Sequence, residues 1–165
     1  MMTVSLCVVA YNEEYFLPKL LKDFEEQTYP HECIEIVLVD GLSTDKTKQI
    51  MTDFSKNNTS FYSIQILDNP KRVQAAGWNV AIGKARGDVI IRIDAHSHIP
   101  TDFTAKNMAL QEKGEYVTGG VRPCLIDTET PWKNTLLEVE NSMFGSSISK
   151  GRKNTKPSYV KSYCI

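Results

Sequence analysis

Val4-Ser5-Leu6-Cys7-Val8-Val9-Ala10, followed at once by Tyr11-Asn12-Glu13-Glu14, is the segment on which the fold turns. An apolar run of this length has strand character, and polar residues that open a helix straight after it begin a strand-helix unit. The same pattern recurs down the chain. Ile34 to Val39 is a second strand ending at Asp40, and Gly41-Leu42-Ser43 turns it into a helix predicted over Thr44 to Asn57, with Asp45 in its first turn. Ile64-Gln65-Ile66-Leu67 is a third strand, stopped by Asp68-Asn69-Pro70. Val73 to Arg86 is a helix of small residues, and Gly87-Asp88 closes it before the strand Val89 to Ile93. A further helix is predicted from Pro100-Thr101 to Lys113-Gly114, a strand at Tyr116-Val117-Thr118, and a last helix within Trp132 to Ser147.

Strands alternating with helices predict an α/β fold whose sheet is mostly parallel and covered by helices on both faces. A length of 165 residues suits one compact domain over 1–165. The composition, 41% hydrophobic and 24% charged with a formal net charge of −1, supplies no global field for nucleic acid or an anionic membrane, so any bound anion must be held locally. Cys7, Cys33, Cys124 and Cys164 show neither C-x-x-C pairs nor zinc spacing, which predicts reduced thiols and a cytoplasmic setting. No apolar run approaches the roughly 18 residues of a membrane span.

In parallel sheets of this kind ligands sit beyond the carboxyl ends of the strands, near the topological switch point. Asn12-Glu13, Asp40 and Asp94-Ala95-His96 all fall at such ends, so three polar clusters are predicted to share one rim. Asp94 and His96, two residues apart in extended backbone, point to one side and offer a carboxylate and an imidazole, a donor pair that suits Mn²⁺ and, less comfortably, Mg²⁺. The first turn lacks G-x-G-x-x-G and the chain lacks G-x-x-x-x-G-K-[ST], which excludes a dinucleotide-binding dehydrogenase and a P-loop enzyme. What remains is an anion held through a divalent metal, with a carboxylate of another strand free to read a base or ribose.

Three blocks carry a resemblance: Ser5 to Glu14, Val37-Leu38-Val39-Asp40-Gly41-Leu42-Ser43-Thr44-Asp45-Lys46-Thr47, and Gly87-Asp88-Val89-Ile90-Ile91-Arg92-Ile93-Asp94-Ala95-His96. With Ala75-Ala76-Gly77-Trp78-Asn79-Val80-Ala81-Ile82 between the last two, they follow in this order from Ser5 to His96. The set resembles the family 2 glycosyltransferases of the GT-A fold, particularly members acting in exopolysaccharide and succinoglycan synthesis.

That resemblance implies a Rossmann-like GT-A sandwich, a UDP- or GDP-linked sugar donor, a divalent metal (Mn²⁺ or Mg²⁺) and inverting transfer to a hydroxyl of a glycan or lipid-linked acceptor. The setting it implies is the cytoplasm, with peripheral association at the cytoplasmic face of the membrane. It places Ala10 and Tyr11 in the nucleoside pocket with Glu13 beside it, Asp40 on the base, Arg72 or Lys71 on the ribose or diphosphate, and Asp94 on ribose and metal. His96 stands where the family's D-x-D has its second carboxylate, and Gly41 where many members carry a second Asp. The family's general base comes from an acidic motif downstream, so it is expected beyond Ile165, and the chain is expected to be a donor-binding part. Two alternatives stay open: a metal-dependent nucleotidyltransferase or phosphohydrolase on the same rim, and a non-catalytic nucleotide-sugar-binding fragment.

Other polar residues have plainer roles. Asp45 complements a helix dipole, His98 serves a turn, His31 lies on the surface, Trp78 belongs to the core, and Glu138 and Glu140 lie on a solvated helix face. Lys150-Gly151-Arg152-Lys153 with Lys156 reads as a solvated loop.

Overall fold

A computed structural model describes residues 1–119 and 129–141. One compact unit spans Met1–Thr118 and another begins at Gly119. In the first, four strands, β1 (Val4–Ala10), β2 (Ile34–Asp40), β3 (Ser63–Asp68) and β4 (Val89–Asp94), form a parallel sheet in the order β3-β2-β1-β4. The helices α1 (Leu17–Glu25), α2 (Thr47–Asn57), α3 (Gln74–Lys84) and α4 (Phe103–Gln111) connect and cover it.

The two faces separate by the period of two along each strand. Leu6, Val8 and Ala10 of β1, Ile36 and Leu38 of β2 and Ile93 of β4 pack with Leu17, Leu20, Leu21 and Phe24 of α1, Met51 and Phe54 of α2 and Met108 of α4. On the other face Cys7, Val37 and Val39 pack against Trp78 and Ala81 of α3. Because β1 and β2 are covered on both sides, every residue of β2 is buried, which is why both read as mostly apolar runs, with Ser5 and Glu35 the buried polar exceptions inside them. Sheet growth runs from β1 through β2 to β3, then reverses, and β4 docks on the free side of β1 with Val4 opposite Val89 and Val9 opposite Asp94. The topological switch point therefore lies between β1 and β4.

Three boundaries and one element differ from expectation. The first helix begins at Leu17 instead of directly after Ala10, because Asn12 adopts a left-handed backbone (φ 55°) and Glu13 C=O accepts the Phe16 and Leu17 amides in an intervening turn. The second begins at Thr47 rather than Thr44, since residues 41–46 are spent on contacts with the β1 loop. The fourth begins at Phe103, after a turn closed by Phe103 N–H on Pro100 C=O. Tyr116-Val117-Thr118 is not a strand: no described strand pairs with it, and Tyr116 and Val117 stand exposed.

In the second unit α5 (Pro131–Asn141) starts as its sequence dictates, with Thr130 Oγ1 accepting the Lys133 amide and Pro131 filling the first turn. Glu138 is exposed, in keeping with a solvated face. The remainder of the helix expected to Ser147, the basic stretch 150–156, and Cys124 and Cys164 lie outside the described residues. No described helix is long and apolar enough to cross a membrane.

Candidate functional site

Four loops leave the carboxyl ends of the strands, and cross-bonds between them fix the rim. Asn12 N–H donates to Ser43 Oγ (3.0 Å), and Thr44 N–H returns to Asn12 Oδ1 (2.9 Å). Glu13 N–H donates to the buried Thr47 Oγ1 (2.7 Å), Glu14 N–H to Asp45 Oδ2 (3.1 Å), and Lys46 N–H to Glu14 Oε2 (3.1 Å). Asp45 also accepts the Thr47 amide at the start of α2 (2.9 Å), so it serves the helix end and joins two loops as well. Burial pushes its carboxyl up, but the hydrogen bonds from Thr47 and Glu14 outweigh this and hold it below the ordinary aspartate value. The three non-glycine residues with left-handed backbone among those described, Asn12 (φ 55°), Leu42 (φ 60°) and Arg72 (φ 54°), sit one each in the loops after β1, β2 and β3. Backbone strain concentrated on one rim is characteristic of functional sites.

These loops enclose a cleft of about 270 Å³ lined by Val9, Ala10, Tyr11, Glu13, Gly41, Asn69, Arg72, Gln74, Asp94, Ala95 and His96. Its position follows from topology. Tyr11 and Glu13 come from the β1 loop, Asp94 and His96 from the end of β4, and the two loops part at the switch point. Gln74, the first residue of α3, brings that helix's amino end to the cleft, where no side chain caps it. Gly77 lets α3 lie directly on β1: a Cβ there would stand 2.6 Å from Val9 Cγ1 and 3.1 Å from Asn69 Nδ2. Gly41 gives Tyr11 its room, a Cβ there lying 3.2 Å from Tyr11 Cβ.

The charged groups are ordered. Arg92 places its guanidinium over the Trp78 ring, 4.6 Å from the centroid, and reaches Asp94 Oδ1 at 3.2 Å. His96 Nδ1 lies 3.3 Å from Glu13 Oε1. Among the described residues no group of three or more His, Cys, Asp or Glu side chains is disposed to hold a metal alone. The donor chemistry nevertheless fits a divalent cation that takes its other ligands from a bound diphosphate, since Mg²⁺ and Mn²⁺ sites on nucleotides use one or two protein groups and the phosphate oxygens.

Of the residues singled out in the sequence, Ala10, Tyr11, Glu13, Arg72, Asp94 and His96 meet in this cleft, although not by the extended backbone expected for Asp94 and His96: β4 ends at Asp94, and Ser97 N–H closes a turn on Asp94 C=O (2.9 Å) that carries His96. Asp40 does not line it. It is 1% exposed, and its carboxylate accepts the Ser43 amide (3.2 Å) and the Ser43 hydroxyl (2.6 Å), which holds the turn after β2. Lys71 is exposed beside Arg72. His98 Nδ1 donates to the buried Asp23 carboxylate at 2.6 Å, a contact that ties the β4 loop to α1 where a plain turn role was expected. His31 is half-buried and stacks on Phe61 at 4.4 Å, so it is less of a surface residue than expected. Trp78 is core.

Asn69, read in the sequence only as part of the turn that stops the third strand, also lines the cleft. It is 1% exposed, its amide donates to Asp40 C=O and its Nδ2 to Val73 C=O, while its Oδ1 is buried with no hydrogen-bond partner. The signal available was an Asn before Pro70 at the end of a strand, which also reads as an ordinary turn.

Comparison with known proteins agrees with this fold. The family model described as glycosyl transferase family 2 matches residues 5–165. The succinoglycan biosynthesis protein ExoA of Rhizobium meliloti is 35% identical over 155 residues, 91% of this chain and 45% of that protein. The dolichyl N-acetyl-alpha-D-glucosaminyl phosphate 3-beta-D-2,3-diacetamido-2,3-dideoxy-beta-D-glucuronosyltransferase of Methanococcus voltae is 34% identical over 110 residues, 67% of this chain and 34% of that protein. Among solved structures, the mannosyltransferase PcManGT of Pyrobaculum calidifontis, in complex with GDP-Man and Mn²⁺, superposes with a TM-score of 0.64 at 26% identity over 74% of this chain and 36% of that one. The chain spans between a third and a half of the length of these curated relatives.

Proposed function

The chain belongs to glycosyl transferase family 2, and from that premise we propose that its cleft binds a nucleoside-diphosphate sugar for metal-assisted, inverting transfer to an acceptor hydroxyl in the synthesis of a cell-surface glycan. The observation that carries this reading is the meeting of Tyr11 and Glu13 with Asp94 and His96 at the switch point between β1 and β4.

Each lining residue has a chemical task. Tyr11, half-exposed at the mouth, offers a ring on which a base stacks, and Ala10 and Gly41 leave space beside it. Asn69 Oδ1 is an orphaned acceptor that a donor on the nucleoside would satisfy, while the Asp40 carboxylate, away from the cleft lining, already serves Ser43. Arg72 meets a phosphate or ribose oxygen, and the uncapped first turn of α3 adds amide dipoles of the same sign. Asp94 and His96 are assigned to a divalent cation, which when bound offsets the charge that develops on the departing diphosphate. The donor base, UDP or GDP, is assigned on the family's habits and on PcManGT's GDP-Man. Acceptor, general base and peripheral membrane association belong to the whole protein and are proposed on the same footing.

Isothermal titration with UDP and GDP, each with and without Mn²⁺, tests the assignment. One of the two is expected to bind with metal dependence, and Asp94→Ala is expected to weaken the metal-dependent binding at least about tenfold, some 1.4 kcal/mol. Binding that is indifferent to both metal and Asp94→Ala would overturn it, and turnover of nucleoside triphosphates or phosphoesters would favour the nucleotidyltransferase or phosphohydrolase alternative.

A further inference from the structure

The imidazole of His96 has one nitrogen committed and one uncommitted, and the group that commits it comes from another loop. Its Nδ1 lies 3.3 Å from Glu13 Oε1, across 83 residues of sequence. Glu13 is well anchored for such a task. Its N–H is fixed on the buried Thr47 hydroxyl, its C=O takes the Phe16 and Leu17 amides, and its side chain is about one-fifth exposed. His96 is the more exposed partner, with its side chain 62% exposed. A carboxylate on an anchored backbone beside an exposed imidazole decides both the ring's orientation and its tautomer, because an ionised carboxylate only accepts and so selects the N–H form at Nδ1.

We propose that Glu13 is a positioning residue for His96: it holds the proton on Nδ1 and so turns the Nε2 lone pair toward the cleft as a ready ligand for a divalent cation. The inference rests on the donor-site reading above and assigns Glu13 a role behind the imidazole, in place of one beside the base. It has a charge consequence too. The cation-holding pair supplies one carboxylate, Asp94, and Glu13 places a second carboxylate within one hydrogen bond of it through His96. Carboxylates behind ligating histidines strengthen the ligand, and their removal typically costs 10–100-fold in metal affinity.

The test has a readout that needs no metal. In chain labelled with ¹⁵N-histidine at pH 8, the ring nitrogens of the three histidines are assigned with His96→Ala, and the tautomer of His96 is read from its nitrogen shifts. Wild type is expected to show protonated Nδ1, and Glu13→Ala to move the proton to Nε2. Glu13→Gln, which can still accept through its amide oxygen, is expected to keep Nδ1–H. Mn²⁺ affinity in the presence of UDP or GDP, followed by loss of the free-ion paramagnetic resonance signal, is expected to fall 10–100-fold in Glu13→Ala and by less in Glu13→Gln. An unchanged tautomer in Glu13→Ala, or an unchanged Mn²⁺ affinity, would overturn the inference. If His96→Ala weakens Mn²⁺ while Glu13→Ala does not, Glu13 loses its role and the donor-site reading stands. If neither His96→Ala nor Asp94→Ala has an effect, the metal placement itself falls and takes the inference with it.

Discussion

Replacing Glu35 tests how the amino-terminal end of the sheet, opposite the cleft, is held. Glu35 is 2% exposed, and its carboxylate accepts Ser5 Oγ (2.5 Å) and Arg86 N–H (2.7 Å) on Oε2, and Gln65 Nε2 (2.8 Å) and Ser63 Oγ (3.2 Å) on Oε1. It thus joins β1, β2, β3 and the end of the α3 crossover. In Glu35→Gln the carbonyl oxygen can keep Ser5 and Arg86, while the new amide faces a hydroxyl that can rotate and a Gln65 amide that can flip. The main loss is the conversion of four charge-assisted bonds to neutral ones, about 1 kcal/mol each, offset in part because a neutral amide is less costly to bury than a carboxylate, so about 2 kcal/mol in all. Glu35→Ala strands the Arg86 amide and opens a void, for about 3–5 kcal/mol. Urea unfolding followed by tryptophan fluorescence, with Trp78 buried beneath Arg92, measures both. The pH dependence has a fixed sign. Burial pushes the Glu35 carboxyl up, and the four hydrogen bonds outweigh it and hold it below its ordinary 4.5. Its stabilisation is therefore full above that value and is lost as pH falls through the lower folded one, so the gap between wild type and Glu35→Gln closes on acidification. A Glu35→Ala protein within 1 kcal/mol of wild type, by urea titration, or a gap that widens toward acid, would refute the reasoning.

Gly77→Ala, whose Cβ would collide with Val9, is expected to destabilise by about 1–3 kcal/mol in thermal melts and to weaken nucleotide binding, because Val9 and Asn69 both line the cleft. Tyr11→Ala removes the stacking ring and is expected to lower UDP or GDP affinity by about 1–3 kcal/mol in titration calorimetry, with little change in melting temperature. Asp45→Ala releases the Glu14 and Thr47 amides and is expected to cost about 1–2 kcal/mol in urea titration, a loss that vanishes as pH falls below the carboxylate range. Cys7, whose thiol is pushed up to about 12 by burial and then by the Glu35 charge, is expected to resist alkylation at pH 8 until the chain unfolds, as peptide mass mapping would show.

What the sequence made legible follows from where its residues are buried. Val4 to Ala10 and Ile34 to Asp40 announce themselves because two covered faces favour apolar residues at most positions, and Trp78 reads correctly as core among the small residues of α3. Tyr116-Val117 reads as a strand only from its side chains, and pairing, which no local pattern encodes, is what it lacks. The rim residues could be nominated because parallel topology fixes which strand ends face a ligand. Their partners could not. Asp40's engagement by Ser43 is a local turn that competes with any ligand, and the contact of Glu13 with His96 depends on β4 docking beside β1.

That docking also orders events in time. A ribosome adding about 5–20 residues per second has β1, β2 and β3 in hand some seconds before β4 emerges, and in that interval one edge of β1 stands open. The pairing that closes it joins Val4 to Val89, a long loop for a parallel strand, and such contacts form late. A nascent chain stopped at Arg86 would already carry the β1, β2 and β3 loops of the cleft yet lack the wall that Asp94, Ala95 and His96 supply, so the cleft closes only when β4 docks, with α4 still to cover α1 and α2.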